Sequence, residues 1–257
     1  MSARRIWLTG ASSGLGAALA QALLSSGARV ALSARSVEPL RALAARYPDR
    51  ALLLPGDLTR SQDVRQIGER IAQAWGALDT VILNAGTCEY VDARQFDTTI
   101  IEHVVRTNLL ASSYCVEVAL PLLRAGNSPH LVGIASTVTY LALPRTEACG
   151  ATRAGMRYLF DSLEAEWAPE GIDVTLVGPG FVDTVPSPPN AFHVPLDWPA
   201  DSAARHILEK LAGRPREIAF AALDMAQLWP LARQPNPAGL AIGKRIQRSP
   251  APIKDSP

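Results

Sequence analysis

The sequence predicts a doubly wound α/β fold, in which a single parallel sheet carries helices on both faces. Short apolar runs bounded by Gly, Pro or Asp recur along the chain between longer segments of helical period. The two kinds of segment alternate strictly, which is typical of parallel strands joined by right-handed crossover helices. With 48% hydrophobic and 19% charged residues among 257, the chain also has enough apolar side chains for a large core.

Seven strands and six helices are predicted in this alternation. The strands are placed at residues 5–9, 29–33, 51–54, 80–83, 130–135, 173–177 and 217–220. The helices are placed at residues 15–25, 37–46, 62–75, 98–123, 151–167 and 202–211. Because the strands are short apolar runs, both faces of the sheet must be covered, and the helices between the strands supply that cover.

The chain is predicted to be one domain from residue 1 to residue 257, since no linker, internal repeat or long charge run divides it. Prolines cluster late in the chain, which predicts an irregular region at about 185–200. A C-terminal extension at about 222–257 follows the last predicted strand.

Charge and cysteine content exclude several classes of protein. Lys and Arg number 25 against 24 Asp and Glu, so the net charge is +1 and no nucleic-acid partner is expected. Cys88, Cys115 and Cys149 are far apart and form no CxxC pair, and their odd number leaves at least one unpaired in any disulfide scheme. No apolar run resembles a signal peptide or is long enough to cross a bilayer. We therefore expect a reducing, cytoplasmic location.

A glycine-rich segment joins the first strand to the first helix. It reads Thr9-Gly10-Ala11-Ser12-Ser13-Gly14-Leu15-Gly16. Gly10 permits a tight turn, Gly14 lets the backbone approach a pyrophosphate, and Gly16 allows the helix to pack closely on the strand. The helix amino terminus offers free N–H groups and a positive dipole end to phosphates. Its place at a strand-to-helix junction favours a Rossmann-type dinucleotide site over a simple glycine-rich turn.

The TGxxxGxG spacing of this segment resembles the short-chain dehydrogenase/reductase family, and three later motifs continue the resemblance at the carboxyl ends of predicted strands. They are Asp57-Leu58, Asn84-Ala85-Gly86 and Pro179-Gly180-Phe181-Val182-Asp183-Thr184. The second is similar to the family's NNAG, with Leu83 in place of the first Asn. The resemblance implies that Asp57 contacts adenine and that the PGxxxT turn ending at Thr184 holds the nicotinamide carboxamide.

The end of the second strand distinguishes the two nicotinamide dinucleotides. An acidic side chain there accepts hydrogen bonds from the ribose of NAD, whereas a basic one pairs with the additional phosphate of NADP. Ala34 stands where an NAD-preferring relative carries its Asp, and Arg35 follows with a guanidinium that can hold a phosphate by two hydrogen bonds. We expect NADP(H) to be preferred over NAD(H); the alternative for Arg35 is a solvated surface arginine.

The resemblance also implies four catalytic positions, of which two match and two differ. Asn108 and Ser136 match the family's Asn and Ser. Cys149 and Arg153 stand in the places of the family's YxxxK pair, and positions i and i+4 lie on one face of a helix. Arg153 can still hold the ribose of the cofactor, but a guanidinium does not pass protons along a relay.

Several residues are candidates for supplying the proton that the family's tyrosine supplies. Cys149 is either a small filler in a site that lost its acid, or a functional thiol that is acidic enough but shorter in reach than tyrosine. Tyr140, four residues after Ser136, is the best substitute acid, with an aromatic pocket wall as its alternative role. His193 is a further candidate. The other three histidines have no ligand-like spacing, so no metal site is expected.

The proline-rich region predicts the class of substrate. Its larger side chains are mostly apolar and belong to Phe192, His193, Leu196 and Trp198. In the family the equivalent segment folds over the substrate, so an apolar lid predicts a small hydrophobic carbonyl or alcohol.

Partners are predicted from the long helices and the C-terminal segment. The helices around Asn108 and after Arg153 resemble those through which the family dimerises and forms tetramers, so a homodimer or homotetramer is expected. The stretch 223–246 mixes apolar with basic residues. Packing on the domain or on a partner subunit is the favoured interpretation of this stretch, and a membrane-surface segment is the alternative.

Two functions are compatible with these residues. The favoured one is an NADP(H)-dependent oxidoreductase with an altered catalytic acid, because hydride transfer depends chiefly on placing donor and acceptor together. The alternative is a catalytically inactive family member that binds NADP(H) and acts as a redox sensor or structural partner.

Overall fold

The computed structural model describes residues 3–140, 144–180, 182–183 and 198–220, which form nine strands and seven α-helices. The strands are β1 (Arg5–Thr9), β2 (Arg29–Ser33), β3 (Ala51–Leu53), β4 (Thr80–Leu83), β5 (His130–Ile134), β6 (Asp173–Pro179), β7 (Val182–Asp183), β8 (Trp198–Pro199) and β9 (Glu217–Phe220). The helices are α1 (Gly14–Ser25), α2 (Val37–Ala45), α3 (Ser61–Trp75), α4 (Thr98–Val105), α5 (Ala111–Arg124), α6 (Glu147–Trp167) and α7 (Ala200–Leu211). A π-helical turn, Arg106–Leu110, joins α4 to α5, and short 3-10 helices lie at Thr137–Thr139 and Ala168–Glu170.

Seven of these strands form one sheet in the order β3-β2-β1-β4-β5-β6-β9, and every pairing in it is parallel. The chain moves from β1 outward to β3, then returns across β1 to β4 and continues to the other edge. In such a sheet a crevice opens between β1 and β4 at their carboxyl ends, where doubly wound folds bind ligands. The strands β7 and β8 form a separate parallel pair.

Helices cover both faces of the sheet. Side chains of α1, α2 and α7 pack with the strand residues of one face, for example Leu19, Leu40 and Ile207. Side chains of α3, α5 and α6 pack on the other face, for example Ile71 and Phe160. Burial on both faces explains why the strands have no polar side to alternate with the apolar one.

An ion pair anchors the amino-terminal ends of the central strands, at the end of the sheet away from the crevice. Asp79 is 5% exposed and accepts hydrogen bonds from the Arg5 backbone (2.8 Å) and side chain and from the Asn127 backbone (2.8 Å). Burial raises the pKa of Asp79, but these hydrogen bonds outweigh burial and lower the pKa to about 2.

The doubly wound α/β prediction is confirmed, and the seven predicted strands are present with boundaries within two residues. Two differences concern the site. The helix predicted at 98–123 is divided by the π-helical turn, and the helix predicted at 151–167 begins earlier, at Glu147. The earlier start places Cys149 in the first turn of α6.

The regions predicted at about 185–200 and 222–257 lie almost wholly outside the described residues. Thr184 also lies outside them. Trp198 is described; its ring packs against His206 and Phe220 at centroid distances of 5.4 and 5.1 Å. Within the described ranges, no helix is both long enough and apolar enough to span a membrane.

Candidate functional site

The glycine-rich loop after β1 packs directly on the backbone that follows β4. Gly10 has a φ of 67°, and a Cβ added to it would lie 2.8 Å from the Ala85 Cα. A Cβ on Gly16 would overlap the Gly10 carbonyl oxygen and approach the Asn84 amide to 2.5 Å. Neither position has room for a side chain, so both glycines are required for the close approach of these segments.

Hydrogen bonds hold the same two segments together. The Thr9 Oγ1 accepts from the backbone N–H groups of Asn84 and Ala85, both at 3.0 Å. The Asn84 side-chain amide donates to the carbonyl oxygens of Thr9 (3.1 Å) and Gly10 (3.2 Å). The first and third predicted motifs therefore form one rigid unit at the carboxyl ends of β1 and β4.

The amino terminus of α1 opens from this unit. Ser13 is the N-cap residue, with extended backbone and no side-chain capping hydrogen bond. The first intrahelical bond runs from the Ala17 N–H to the Ser13 carbonyl, so the N–H groups of the first turn have no intrahelical acceptor. Gly14 has a φ of 49°, Leu15 is buried, and Ser12 is half-buried. This arrangement suits an anionic group such as a pyrophosphate.

The second and third strands end beside the first. Ala34 is buried, whereas Arg35 is exposed and forms no ion pair with a described residue. Asp57 lies near enough for the Arg35 charge to act on its carboxylate, whose Oδ1 accepts from the Thr59 N–H (3.0 Å) and hydroxyl (2.8 Å). Burial raises the pKa of Asp57, but these bonds, with Arg35 and Arg60, leave it lowered.

Leu58, the other residue of the predicted Asp57-Leu58 motif, is buried and packs into the core on the α3 and α5 side of the sheet.

Asn108 lies on the π-helical turn and is fully buried. Its Oδ1 accepts from the Thr87 N–H (2.8 Å), and its amide donates to the Thr87 carbonyl (2.9 Å) and to the Thr152 hydroxyl (3.0 Å). One side chain thus ties the loop after β4 to helix α6. The π-helical turn shifts the register of the helix at this residue, a feature often found at functional sites.

Ser136 follows β5 in extended conformation and is half-buried. Its Oγ accepts from the Val138 N–H at 3.2 Å. Because this bond uses the oxygen as acceptor, the hydroxyl hydrogen remains available to donate to a substrate oxygen.

Cys149 is bonded to Cys88 in a disulfide, with 5.3 Å between the two Cα atoms. This corrects both interpretations of Cys149 as an unbonded residue, and it does not fit the free thiols expected of a reducing compartment. The spacing of 61 residues carried no signal of the pair, because only the fold brings α6 against the loop after β4. Cys115 is the remaining, unpaired cysteine, as the odd number requires. In the disulfide the Cys149 sulfur has no proton to give.

Arg153 lies one turn after Cys149 and points its guanidinium into the site. Its Nη1 donates to the Ile134 carbonyl at 2.6 Å, and a Cβ on Gly86 would overlap its Nη2. Burial lowers the pKa of Arg153 to about 10, so the group stays cationic at neutral pH. It has no carboxylate partner in the described part of the chain. A cation held in this way fits the hydroxyl or phosphate oxygens of a nucleotide.

Two charged side chains, Glu217 and Arg157, hold the Tyr140 side chain. Its hydroxyl is hydrogen-bonded to Glu217 and accepts from the Arg157 guanidinium at 2.8 Å. Arg157 also pairs with Glu217 and lies 4.7 Å from the Tyr140 ring centroid. Burial raises the pKa of Glu217 and lowers that of Arg157. These contacts favour the role of Tyr140 as an aromatic wall over that of substitute acid.

The fourth motif continues from β6. The N–H of Gly180, which follows Pro179, donates to the Phe220 carbonyl of β9 at 3.1 Å, and Val182 pairs with Trp198. The candidate residues Thr184 and His193, and the lid residues Phe192 and Leu196, lie outside the described residues.

No group of metal-ligating side chains occurs within the described ranges. The three described histidines have other partners: His103 contacts Glu89, His130 contacts Thr175 and His206 contacts Trp198.

The crevice, the glycine loop and the ordered strand-end motifs agree with a comparison of the whole sequence. A family model described as short chain dehydrogenase matches residues 4–189, which is most of the chain. The chain belongs to the short-chain dehydrogenase family. It is therefore a member of a family of short-chain oxidoreductases.

Relatives of this short-chain dehydrogenase include two proteins named as uncharacterized oxidoreductases. One, from Staphylococcus aureus (strain MW2), is 32% identical over 178 residues, covering 69% of this chain and 77% of that protein. The other, from Staphylococcus saprophyticus, is 28% identical over 224 residues, covering 86% and 89%.

Two solved structures are similar to this short-chain dehydrogenase at 25% identity. A short-chain dehydrogenase from Streptomyces avermitilis has a TM-score of 0.79, with 96% of this chain and 98% of that chain covered. An active-site complex of Pseudomonas aeruginosa RhlG with NADP has a TM-score of 0.77, with 86% and 95% covered.

Proposed function

We propose that the protein is an NADP(H)-dependent oxidoreductase that acts on a small hydrophobic carbonyl or alcohol. The observation that carries the cofactor assignment is the end of β2, where buried Ala34 offers no carboxylate to a ribose and exposed Arg35 has no ion-pair partner among the described residues. A guanidinium in this place gains a charge-assisted contact from a phosphate and none from a bare ribose hydroxyl. The NADP complex of RhlG, a similar structure, is consistent with this choice.

The residues described at the crevice fit a dinucleotide. The open N–H groups after Ser13 would hold the pyrophosphate, the side chain of Asp57 would face adenine, and the Arg153 guanidinium would hold ribose oxygens. Pro179, Gly180, Val182 and Thr184 would border the nicotinamide. When bound, the nicotinamide supplies or accepts a hydride.

Three side chains of the chain itself organise the reaction. The Ser136 hydroxyl donates a hydrogen bond to the substrate oxygen and so stabilises the negative charge that develops there, and water supplies the proton that this oxygen takes up. Arg153 adds a fixed positive charge beneath the site. Asn108 acts as a positioning residue, because its bonds to Thr87 and Thr152 hold the two walls of the site together.

A second candidate function is favoured by the Cys88–Cys149 disulfide. With no proton on the Cys149 sulfur and the Tyr140 hydroxyl bonded to Glu217, no described side chain in the place of the family's tyrosine donates a proton. A protein that binds NADP(H) without catalysis, as a redox sensor or structural partner, would have these properties.

NADPH oxidation across a panel of aliphatic and aromatic aldehydes and ketones separates the two functions. The enzyme hypothesis predicts turnover with apolar carbonyls, lost in Ser136→Ala while NADPH affinity is kept. The binding hypothesis predicts NADPH affinity without turnover. In that case Cys149→Tyr with Arg153→Lys should raise the rate by roughly 10² to 10⁴, the usual contribution of a positioned general acid, provided that the variant folds and binds NADPH.

We also propose that the protein forms a homodimer or homotetramer through α5 and α6. Leu110 and Tyr158, on the π-helical turn and on α6, are two of the exposed large apolar side chains in the described residues, and Tyr158 is 79% exposed. Light scattering on the eluted protein should give a multiple of 27.4 kDa, and Tyr158→Asp should reduce it. A monomeric wild type would contradict this proposal.

A further inference from the structure

The Cys88–Cys149 bond joins the loop after β4 to the first turn of α6. Cys88 is two residues beyond Gly86, where an added Cβ would overlap the Arg153 guanidinium. The Cys149 Sγ lies 3.9 Å from the carbonyl oxygen of Thr87. The bond therefore lies at the wall of the candidate active site rather than in a remote structural position.

The two bonded cysteines differ in access. Cys88 is exposed, whereas Cys149 is 2% exposed. A thiolate breaks a disulfide by attacking a sulfur that it can reach, so Cys88 is the point of attack for a thiol in solution. Cys115 does not compete, because burial in the core raises the pKa of its thiol far above the usual value.

Cys149 is on the leaving side of the bond, because its buried sulfur is the one that a thiol in solution does not reach. Cys149 is the third residue of α6, where the positive end of the helix dipole stabilises a thiolate, and the cationic Arg153 lies one turn further on. Two carboxylates are near in sequence: Glu147 is exposed to solvent, and Glu89 contacts His103 at 3.1 Å. The helix dipole and Arg153 favour the negative charge that develops on this sulfur when the Cys88 sulfur is attacked.

Hydrogen bonds hold the loop in addition to the disulfide. Thr87 is held by Asn108 through two hydrogen bonds, of 2.8 and 2.9 Å. The Val91 N–H donates to the Arg145 carbonyl at 3.1 Å, which fastens the loop beyond Cys88 to the segment before α6. We therefore expect cleavage of the bond to change the chemistry of the Cys149 sulfur while these hydrogen bonds keep the loop against α6.

We propose that Cys88 and Cys149 form a thiol–disulfide exchange site for low-molecular-weight thiols, and that reduction returns an S–H group to the wall of the active site where the proton donor is missing. Exposed disulfides are more readily reduced than buried ones and are often regulatory or catalytic, which fits a bond with the exposed Cys88 at the wall of a candidate active site. The second half of this proposal rests on the proposed oxidoreductase function.

The exchange proceeds in two balanced displacements. The thiolate of a small thiol attacks the Cys88 Sγ, the Cys88–Cys149 bond breaks, and the Cys149 sulfur leaves with the electron pair and takes a proton from water. A second thiolate attacks the external sulfur of the mixed disulfide, and the Cys88 sulfur leaves and is protonated. Two small thiols are oxidised to one disulfide, and the protein disulfide is reduced to two thiols.

Peptide mapping of the folded protein tests the exchange site. Protein treated with oxidised glutathione should yield a linked Cys88–Cys149 peptide. Brief dithiothreitol treatment without denaturant should then abolish the linked peptide, expose the Cys88 thiol to iodoacetamide and leave the buried Cys149 and Cys115 thiols unlabelled. In Cys149→Ser, oxidised glutathione should modify Cys88 at least tenfold faster than it modifies Cys149 in Cys88→Ser. No linked peptide, or a bond that dithiothreitol reduces only in urea, would overturn the site.

Turnover of NADPH with an apolar carbonyl tests the consequence of reduction. Dithiothreitol should raise the turnover of oxidised wild type at least tenfold, Cys88→Ser should have the reduced-state activity without it, and Cys115→Ala should respond as wild type does. Equal turnover in both states would overturn the role of the Cys149 thiol. If the labelling result holds and no carbonyl reacts in either state, the exchange site stands and the proposed oxidoreductase function fails.

Discussion

Gly16 lies so close to neighbouring backbone that substituting it tests whether the glycine-rich loop after β1 binds the nucleotide. A Cβ there would overlap the Gly10 carbonyl oxygen and approach the Asn84 amide to 2.5 Å. We predict that Gly16→Ala displaces the loop, lowers NADPH affinity at least tenfold by calorimetric titration, and costs about 1–3 kcal/mol of stability.

Gly213→Ala is the matched control for this substitution, since the added Cβ would make an ordinary contact with the Lys210 carbonyl at 3.6 Å. It should keep wild-type affinity for NADPH. If Gly16→Ala also kept that affinity while remaining folded, the loop would be only a turn and would not bind the dinucleotide.

Asp79 is expected to make stability depend on pH. Its pKa of about 2 in the folded protein lies below the unfolded value of 3.8, so its stabilising contribution is complete above that value and is lost as the pH falls toward 2. At pH 7 the contribution is about 2 kcal/mol. Urea unfolding of wild type and Asp79→Asn should differ by at least this amount at pH 7 and by about half of it at pH 3. A difference independent of pH would exclude the ionised carboxylate as its cause.

At the scale of elements, the Cys88–Cys149 bond should also stabilise the fold. It closes a loop with a sequence separation of 61 residues. A loop of this length limits the unfolded chain enough to contribute up to about 4 kcal/mol, or roughly 5–15 °C in Tm for a chain of this size. The Tm of Cys88→Ser should therefore lie below that of oxidised wild type by such an amount.

Dithiothreitol supplies the control for this prediction. It should lower the Tm of oxidised wild type to that of Cys88→Ser and leave the Tm of Cys88→Ser unchanged. A wild-type Tm that does not respond to dithiothreitol would contradict the prediction.

The elements themselves could be predicted from the sequence because their signals are local. Apolar runs and glycine or proline boundaries placed the seven strands, since each run is buried on both faces. The division of the helix at Arg106–Leu110 could not be predicted, because one π-helical turn scarcely changes the periodicity of a long apolar segment. The start of α6 at Glu147 was also missed, because its N-cap, Thr146, makes no side-chain capping bond.

In the whole molecule, the fold brings together residues that are far apart in the sequence. The motifs at strand ends could be predicted to meet because the carboxyl ends of parallel strands share one edge of the sheet. The Cys88–Cys149 bond and the contacts of Tyr140 with Arg157 and Glu217 could not, since no local pattern marks residues joined only by the packing of a helix on a loop.

Calorimetric titration with NADPH and NADH measures the cofactor preference that Ala34 and Arg35 predict. Wild type should bind NADPH at least tenfold more tightly, about 1.4 kcal/mol, and Arg35→Ala should remove most of this preference. Arg41→Ala is the matched control, because Arg41 is also exposed and pairs with Glu38 on α2; it should keep the preference. Equal wild-type affinities for NADPH and NADH, or an undiminished preference in Arg35→Ala, would show that Arg35 does not bind the additional phosphate of NADP.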